Sequence, residues 1–236
     1  DRNENIYVSG YSTGIGTSTD FTVIKLDSAG NERWVYRYDG PASLRDEIMA
    51  MALDTLGNVY VTGWSSGIDW DFCVIELDSS GREEWVYRYN GPANWADLAY
   101  DLTVDDLGNV YVCGYSLRQD TIALFTVIKI DSSGSERWIY LTPGPSNKGG
   151  AASSITFDKL GGVYACGNFQ NASYLKQIAV LKLKTSGETL WTYIHPHVPP
   201  SPNYDNARDI TADVAGNVYV TGQIAVSQWN DDIVVL

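Results

Sequence analysis

Five copies of one short pattern, each closing on a glycine, constrain this chain more than any other feature. Gly57 to Gly63 reads Gly-Asn-Val-Tyr-Val-Thr-Gly, and near copies run from Asn5 to Gly10, Gly108 to Gly114, Gly161 to Gly167 and Gly216 to Gly222. The closing glycines, at 10, 63, 114, 167 and 222, lie 53, 51, 53 and 55 residues apart. A period of this size is the signature of a repeat architecture, in which each repeat buries its faces against its neighbours.

One full unit runs from Asp46 to Asp97. Strand A is Asp46 to Asp54, the turn Thr55 to Asn58 follows, and strand B is Val59 to Thr62. A longer loop, Gly63 to Trp70, leads to strand C, Asp71 to Asp78; the turn Ser79 to Gly81 leads to strand D, Glu84 to Tyr89. Short segments rich in Val, Ile, Tyr, Phe and Trp, bounded by Gly, Asp, Asn and Ser, are strands between turns. Asp-Ser-Ser-Gly supplies an acceptor where the turn begins and a glycine free to take positive φ where it ends. No window carries a 3.6-residue period, so almost no helix is expected.

Strand C recurs at Asp20 to Asp27, Leu124 to Asp131 and Gln177 to Lys184, and strand A at Asp97 to Asp105, Gly150 to Asp158 and Asp205 to Asp213. Four antiparallel strands every fifty or so residues predict an all-β chain folded as a β-propeller, ahead of an open β-solenoid. The blades fall at 1–45, 46–96, 97–149, 150–204 and 205–236, in the series BCD, ABCD, ABCD, ABCD, ABC. About four and a half blades predict a piece of a larger ring, completed by further blades or a second copy.

Charge narrows the partners. The chain has 29 Asp and Glu against 16 Lys and Arg, a formal charge of −13, and its bases are not clustered. Nucleic acid and anionic membrane surfaces reward clustered Lys and Arg and are not expected as partners. No apolar run approaches the ~18 residues of a membrane helix, so no membrane insertion by helix is expected. Cys73, Cys113 and Cys166 match no metal spacing, and the last two take a slot filled elsewhere by Ser or Thr. They read as small buried residues.

The segments Asp20 to Trp34 and Gly57 to Gly63 together resemble the bacterial SBBP beta-propeller repeat, and the likeness runs along the whole chain. Blade four departs most, with Gly161-Gly162 for Gly-Asn and Lys184 for the Asp after strand C. The resemblance implies a propeller within large, often exported prokaryotic proteins, placed outside the cell or on its surface. It implies no common enzymatic activity.

The tryptophans divide by phase. Trp34, Trp85, Trp138 and Trp191 lie 51, 53 and 53 residues apart and read as packing between blades. Trp64, Trp70, Trp95 and Trp229 have no phase and fall beside the variable B–C and D–A connections, as does Tyr115. Variable loops on a rigid scaffold are where binding resides, and aromatic residues suit sugar rings or protein hot spots. These five are the candidate ligand-binding residues, with a protein or a carbohydrate as partner.

Asp46, Asp97 and Asp205 open strand A, and Asp101 and Asp209 follow four residues on; blade three breaks both series with Gly150 and Ser154. Carboxylates on a channel-lining strand can hold Ca2+, with Asp101 and Asp209 as the metal candidates, yet no EF-hand pattern is present. His195 and His197 lie in a proline-rich stretch with no third ligand in view. Gly-x-Ser-x-Gly occurs at Gly10 to Gly14 and Gly63 to Gly67, but with almost no helix expected neither is a strand-to-helix nucleophile elbow, and no catalytic residue is assigned. The leading expectation is a non-catalytic propeller for binding, adhesion or assembly. A polysaccharide hydrolase or lyase and a surface-layer or filament component are the alternatives.

Overall fold

The computed structural model describes residues 1–14, 16–67, 69–158, 160–196, 205–227 and 230–235. Every regular element among them is a strand. The first sheet pairs β1 (Ile6–Thr13), β2 (Thr19–Leu26) and β3 (Glu32–Tyr38). The second runs β4 (Asp46–Leu53), β5 (Val59–Ser66), β6 (Trp70–Leu77) and β7 (Glu83–Tyr89). The third holds β8 (Asp97–Val104), β9 (Val110–Leu117), β10 (Ala123–Ile130) and β11 (Glu136–Thr142). The fourth holds β12 (Gly150–Phe157), β13 (Gly162–Gln170), β14 (Lys176–Lys184) and β15 (Thr189–Ile194). The fifth pairs β16 (Asn206–Ala212), β17 (Val218–Ser227) and β18 (Asn230–Val235). All pairing is antiparallel between sequence neighbours, and β4, β8, β12 and β16 lie side by side as inner strands. This is the β-propeller that the repeat predicts.

The core is a set of layers between consecutive sheets. Phe21 and Val23 meet Val61, Cys73 and Ile75. Phe72 and Val74 meet Ala99, Val112 and Ile128. Phe125 and Val127 meet Ala152, Val163 and Leu181, and Ile178 and Val180 meet Ala207, Ile210 and Val220. All three cysteines are buried in these layers as free thiols. Burial pushes the thiols of Cys73 and Cys166 up to about 12, so they stay protonated and inert.

Two recurrent motifs have side-chain causes. In Asp-x-x-Gly-Asn-x-Tyr, the Asp54 carboxylate accepts the backbone N–H groups of Leu56 and Asn58 at 2.8 and 2.9 Å and the Asn58 amide at 2.8 Å. The tyrosine hydroxyl two residues further on donates to the same carboxylate, as Tyr111 does to Asp105 at 3.2 Å and Tyr164 to Asp158 at 2.7 Å. One aspartate therefore closes the turn and satisfies the hydroxyl of a buried ring. Three of the four phased tryptophans tie their sheet to the next, whereas Trp191 is 41% exposed and meets Tyr164 of its own sheet. The rings of Trp34, Trp85 and Trp138 lie over Gly81, Gly134 and Gly187, where a Cβ would meet ring atoms at 2.5, 2.7 and 2.9 Å. Trp138 Nε1 also donates to Thr185 O at 2.9 Å.

One boundary needs correction. The closing glycine does not end strand B: β5 continues through Gly63 and Trp64 to Ser66, with Trp64 opposite Phe72 and Ser66 opposite Trp70. The expected loop of Gly63 to Trp70 is mostly hairpin, because the glycine serves a contact within the sheet rather than a turn.

Candidate functional site

That contact builds the site. Beside four of the five closing glycines runs an inner strand, and a Cβ there would lie 1.9 Å from Glu47 O at Gly63, 1.9 Å from Leu98 O at Gly114, 2.0 Å from Ala151 O at Gly167 and 2.4 Å from Asn206 O at Gly222. Gly10 has no inner strand against it and meets nothing within 4 Å. The carbonyl settles into the space a side chain would fill, and two residues later the inner strand bulges. The register slips between Ile48 and Ala50, Ala99 and Asp101, Ala152 and Ser154, and Ala207 and Asp209. The extra residues are Met49, Tyr100, Ser153 and Arg208. A bulge frees one residue from the ladder and re-aims its side chain. All four line a single cavity of about 630 Å3.

The cavity opens at the end of the inner strands reached by the B–C and D–A connections. Besides the bulge residues it is lined by Tyr115, Lys148, Asn168, Gln170, Lys176 and Asn206, with the Gly149-Gly150 backbone. The rings of Tyr100 and Tyr115 lie 5.9 Å apart, and burial raises both hydroxyls, Tyr100 to about 12, so both remain neutral donors. Asn168 Nδ2 donates to Asn206 Oδ1 at 2.8 Å. Arg208 donates to Gln223 Oε1 at 3.1 Å, and Lys148 to the Tyr174 hydroxyl at 2.9 Å. Neither Lys148 nor Arg208 is paired with a carboxylate among the described residues.

The first three D–A connections share one turn. Each of these three begins Gly-Pro and carries a residue at positive φ three positions after the glycine, with that residue's N–H on the glycine carbonyl: Ser43 (φ 50°), Asn94 (φ 51°) and Asn147 (φ 52°). The next residue is the exposed Leu44 in the first turn, the exposed Trp95 in the second and the half-buried Lys148 of the cavity wall in the third. Arg118 braces the third turn by donating to Asn147 Oδ1 at 3.2 Å.

The expected aromatic residues separate. Tyr115 is in the cavity wall. Trp64, expected in a loop, sits in β5 at 6% exposure beneath the Arg45 guanidinium, its ring 5.1 Å from Trp70. Trp70 and Trp95 are 43% and 38% exposed. Trp229, like His197, lies outside the described residues.

The carboxylates do not form the shared channel set that their spacing suggested. Asp46 and Asp97 are fully buried and serve as clamps: Asp46 accepts from Gly40 N at 2.8 Å and Ser66 N at 3.1 Å, and Asp97 from Gly91 N at 2.6 Å. Burial raises both carboxyls. Asp205 likewise accepts from Ala225 N at 2.9 Å. Ser154 Oγ lies 2.7 Å from Asp101 Oδ2 and 3.0 Å from Asp209 Oδ1, and Asp101 also accepts from the backbone of Leu102 and Ile155. The two metal candidates thus converge on a serine that ties three inner strands together. Among the described residues, the one triad of carboxylates close enough to share a cation is Asp20, Asp39 and Asp46, between the first two sheets.

Four of the lining residues sit at the bulge, where the copies carry Met49, Tyr100, Ser153 and Arg208, always fourteen residues before the closing glycine. Alignment of the copies shows that this position varies, but positions 47 and 53 and their counterparts vary as much, so the sequence does not single it out. Lys148 has its own signal as the counterpart of Trp95. The break in the acidic series at Gly150 and Ser154 also marks the blade where the cavity opens.

No curated protein matches the chain in sequence. Among solved structures, it is similar to an apocarotenoid oxygenase from Synechocystis, with TM-score 0.53 and 12% identity over 98% of this chain and 55% of that one. A luciferin-regenerating enzyme gives 0.50 and 16% over 90% and 68%, and a glucose dehydrogenase 0.50 and 10% over 99% and 77%. Identities this low establish a shared fold alone. The SBBP beta-propeller repeat family matches residues 43–69 and 85–117, the stretches that contain the inner strands of the second and third sheets, β4 and β8, with their bulges and closing glycines. The chain is a β-propeller in which residues 43–69 and 85–117 match the SBBP beta-propeller repeat.

Proposed function

We propose that this propeller is a non-catalytic binding module whose ligand enters the cavity at the channel mouth, on the face of the B–C and D–A connections. The observation that carries this reading is the contrast between a backbone fixed by repeated glycines and the four unlike residues it presents, Met49, Tyr100, Ser153 and Arg208. A site of about 630 Å3 falls within the ~300–1,000 Å3 of small-ligand pockets. The carboxylates a hydrolase would use are engaged elsewhere: Asp101 holds two backbone N–H groups and Ser154. An extended partner gains further contact area from Trp70 and Trp95 on the same face. The setting we propose, from the family resemblance, is outside a prokaryotic cell or on its surface.

A saccharide array probed with the wild-type chain and with Ser153→Trp, which fills the cavity from its wall, tests the reading. Ser153 Oγ also donates to Ala207 O of the fifth sheet, so the variant is compared at a temperature where circular dichroism shows it fully folded, and loss of binding there is the expected result. Binding indifferent to Ser153→Trp, or release of new reducing ends from any bound saccharide, would refute it.

A further inference from the structure

We infer that the ligand of this cavity is an anionic saccharide, a short glycan bearing uronate carboxylates. The inference rests on the binding reading above and adds the chemical class. Its basis is a local inversion of charge. The chain carries 29 acidic against 16 basic residues, so a cavity lined at random would be acidic more often than basic. The lining instead contains Lys148, Lys176 and Arg208 and no Asp or Glu. Asp101 and Asp209 follow Tyr100 and Arg208 on the same strands, but their contacts are with Ser154 and the backbone, and neither lines the cavity.

The cationic groups are positioned rather than loose. Arg208 is anchored through one N–H to Gln223, which leaves the rest of its planar fork for a carboxylate. Lys148 is held by the Tyr174 hydroxyl, with its ammonium 4.4 Å from the centre of that ring. It stands on a turn braced from Arg118. Lys148 stands on the connection between the third and fourth sheets, Lys176 on β14 of the fourth and Arg208 on β16 of the fifth, so they converge only in the fold.

The rest of the wall suits hydroxylated rings. Tyr100 and Tyr115 offer flat faces and neutral hydroxyls, and Gln170 and the Asn168–Asn206 amide pair offer donors and acceptors of the kind that match vicinal hydroxyls, while the Ser153 hydroxyl donates to Ala207 O at 2.7 Å. A nucleic acid or another dense polyanion is disfavoured by the net charge of −13 around the cavity. A glycan with single, spaced carboxylates meets the basic cluster without carrying a high charge density across the acidic surface.

Calorimetric titration with trigalacturonate and with neutral galactotriose tests the class. The acidic trimer should bind about tenfold or more tighter than the neutral one, and Arg208→Gln and Lys148→Gln should each weaken the acidic trimer about tenfold, a clearly larger loss than for the neutral one. The preference should shrink between about 0.01 and 0.1 M salt, as the screening length falls from ~30 to ~10 Å. Equal affinity for both trimers, or binding of neither, overturns the anionic class. If both bind equally and Ser153→Trp abolishes both, the site stands and only the charge inference fails. Acidic-trimer binding that survives Ser153→Trp overturns the site itself. Arg208→Lys, which keeps the charge, should recover part of the loss, and its failure to do so with an unchanged melting curve would count against a carboxylate held by charge.

Discussion

Substituting Gly114 by alanine tests the link between the closing glycine and the bulge. The new Cβ would lie 1.9 Å from Leu98 O and 2.9 Å from Phe72 Cζ, both inside contact distance. Phe72 is a fully buried ring in the layer between the second and third sheets, so it has little room to retreat. The carbonyl therefore moves by about an ångström or more, which strains the ladder where Ala99 faces Gly114 and Leu98 faces Tyr115. One or two ladder bonds at ~1 kcal/mol each, with ~1–3 kcal/mol for overpacking, give a loss of about 3 kcal/mol. For a chain of this size that corresponds to a fall in Tm of roughly 6–12 °C. Gly10 is the control. It closes the same motif with nothing within 4 Å of its Cβ position. Gly10→Ala should be neutral, or stabilise by about 0.4–1 kcal/mol through the unfolded chain. Thermal and urea unfolding followed by circular dichroism measure both. The reasoning fails if Gly114→Ala melts within ~2 °C of wild type, or if Gly10→Ala falls as far.

Two further predictions concern packing and pH. Trp138→Ala removes the ring over Gly187 and the bond to Thr185 O, and should lower stability by about 3 kcal/mol in urea unfolding; a loss below ~1 kcal/mol would mean the ring does not tie the third sheet to the fourth. Ser80 and Ser133, with backbone N–H groups of the same turns, hold Asp78 and Asp131 at about 2, below the ordinary 3.8. The unfolded chain takes up these protons first, so the turns' contribution is whole above about pH 4 and drains away as pH falls toward 2. Asp131→Asn should flatten the decline in Tm over that interval, and an unchanged slope would refute the assignment. Asp97 and Asp101, raised by burial, act in the opposite sense, favouring the native state as they protonate and costing stability as pH rises through their titration.

The strands were legible because each is a run of β-branched and aromatic residues between turn signals, and because the turn aspartates have a fixed job. Asp54 and its counterparts close a turn and hold a tyrosine hydroxyl, so motif and structure correspond residue by residue. The role of the closing glycine was not legible. A glycine after four apolar residues reads as the end of a strand, whereas Gly63 and Gly114 lie inside β5 and β9 facing a carbonyl from the next strand. Trp64 was misplaced by the same error, since a strand ending at Thr62 leaves it in a loop. The bulge residues were hidden for a different reason. A periodic reading keeps what recurs, and Met49, Tyr100, Ser153 and Arg208 share no side-chain property that could recur.

That division suggests where specificity resides in this chain. A residue in an inter-sheet layer is held by neighbours on both sides, so Phe72 or Val112 tolerates little change. A bulge residue leaves the ladder and faces the channel, so the backbone that presents it keeps its geometry whichever side chain it carries. The glycine opposite makes this possible by accepting the displaced carbonyl, and it sets the presentation angle alike in four sheets. Chemistry at the channel mouth can therefore change one blade at a time without disturbing the core. The present combination places a guanidinium, a phenol and a hydroxyl around a basic cavity in an acidic protein. Exchanging Arg208 or Ser153 should change what the cavity holds before it changes how firmly the propeller folds.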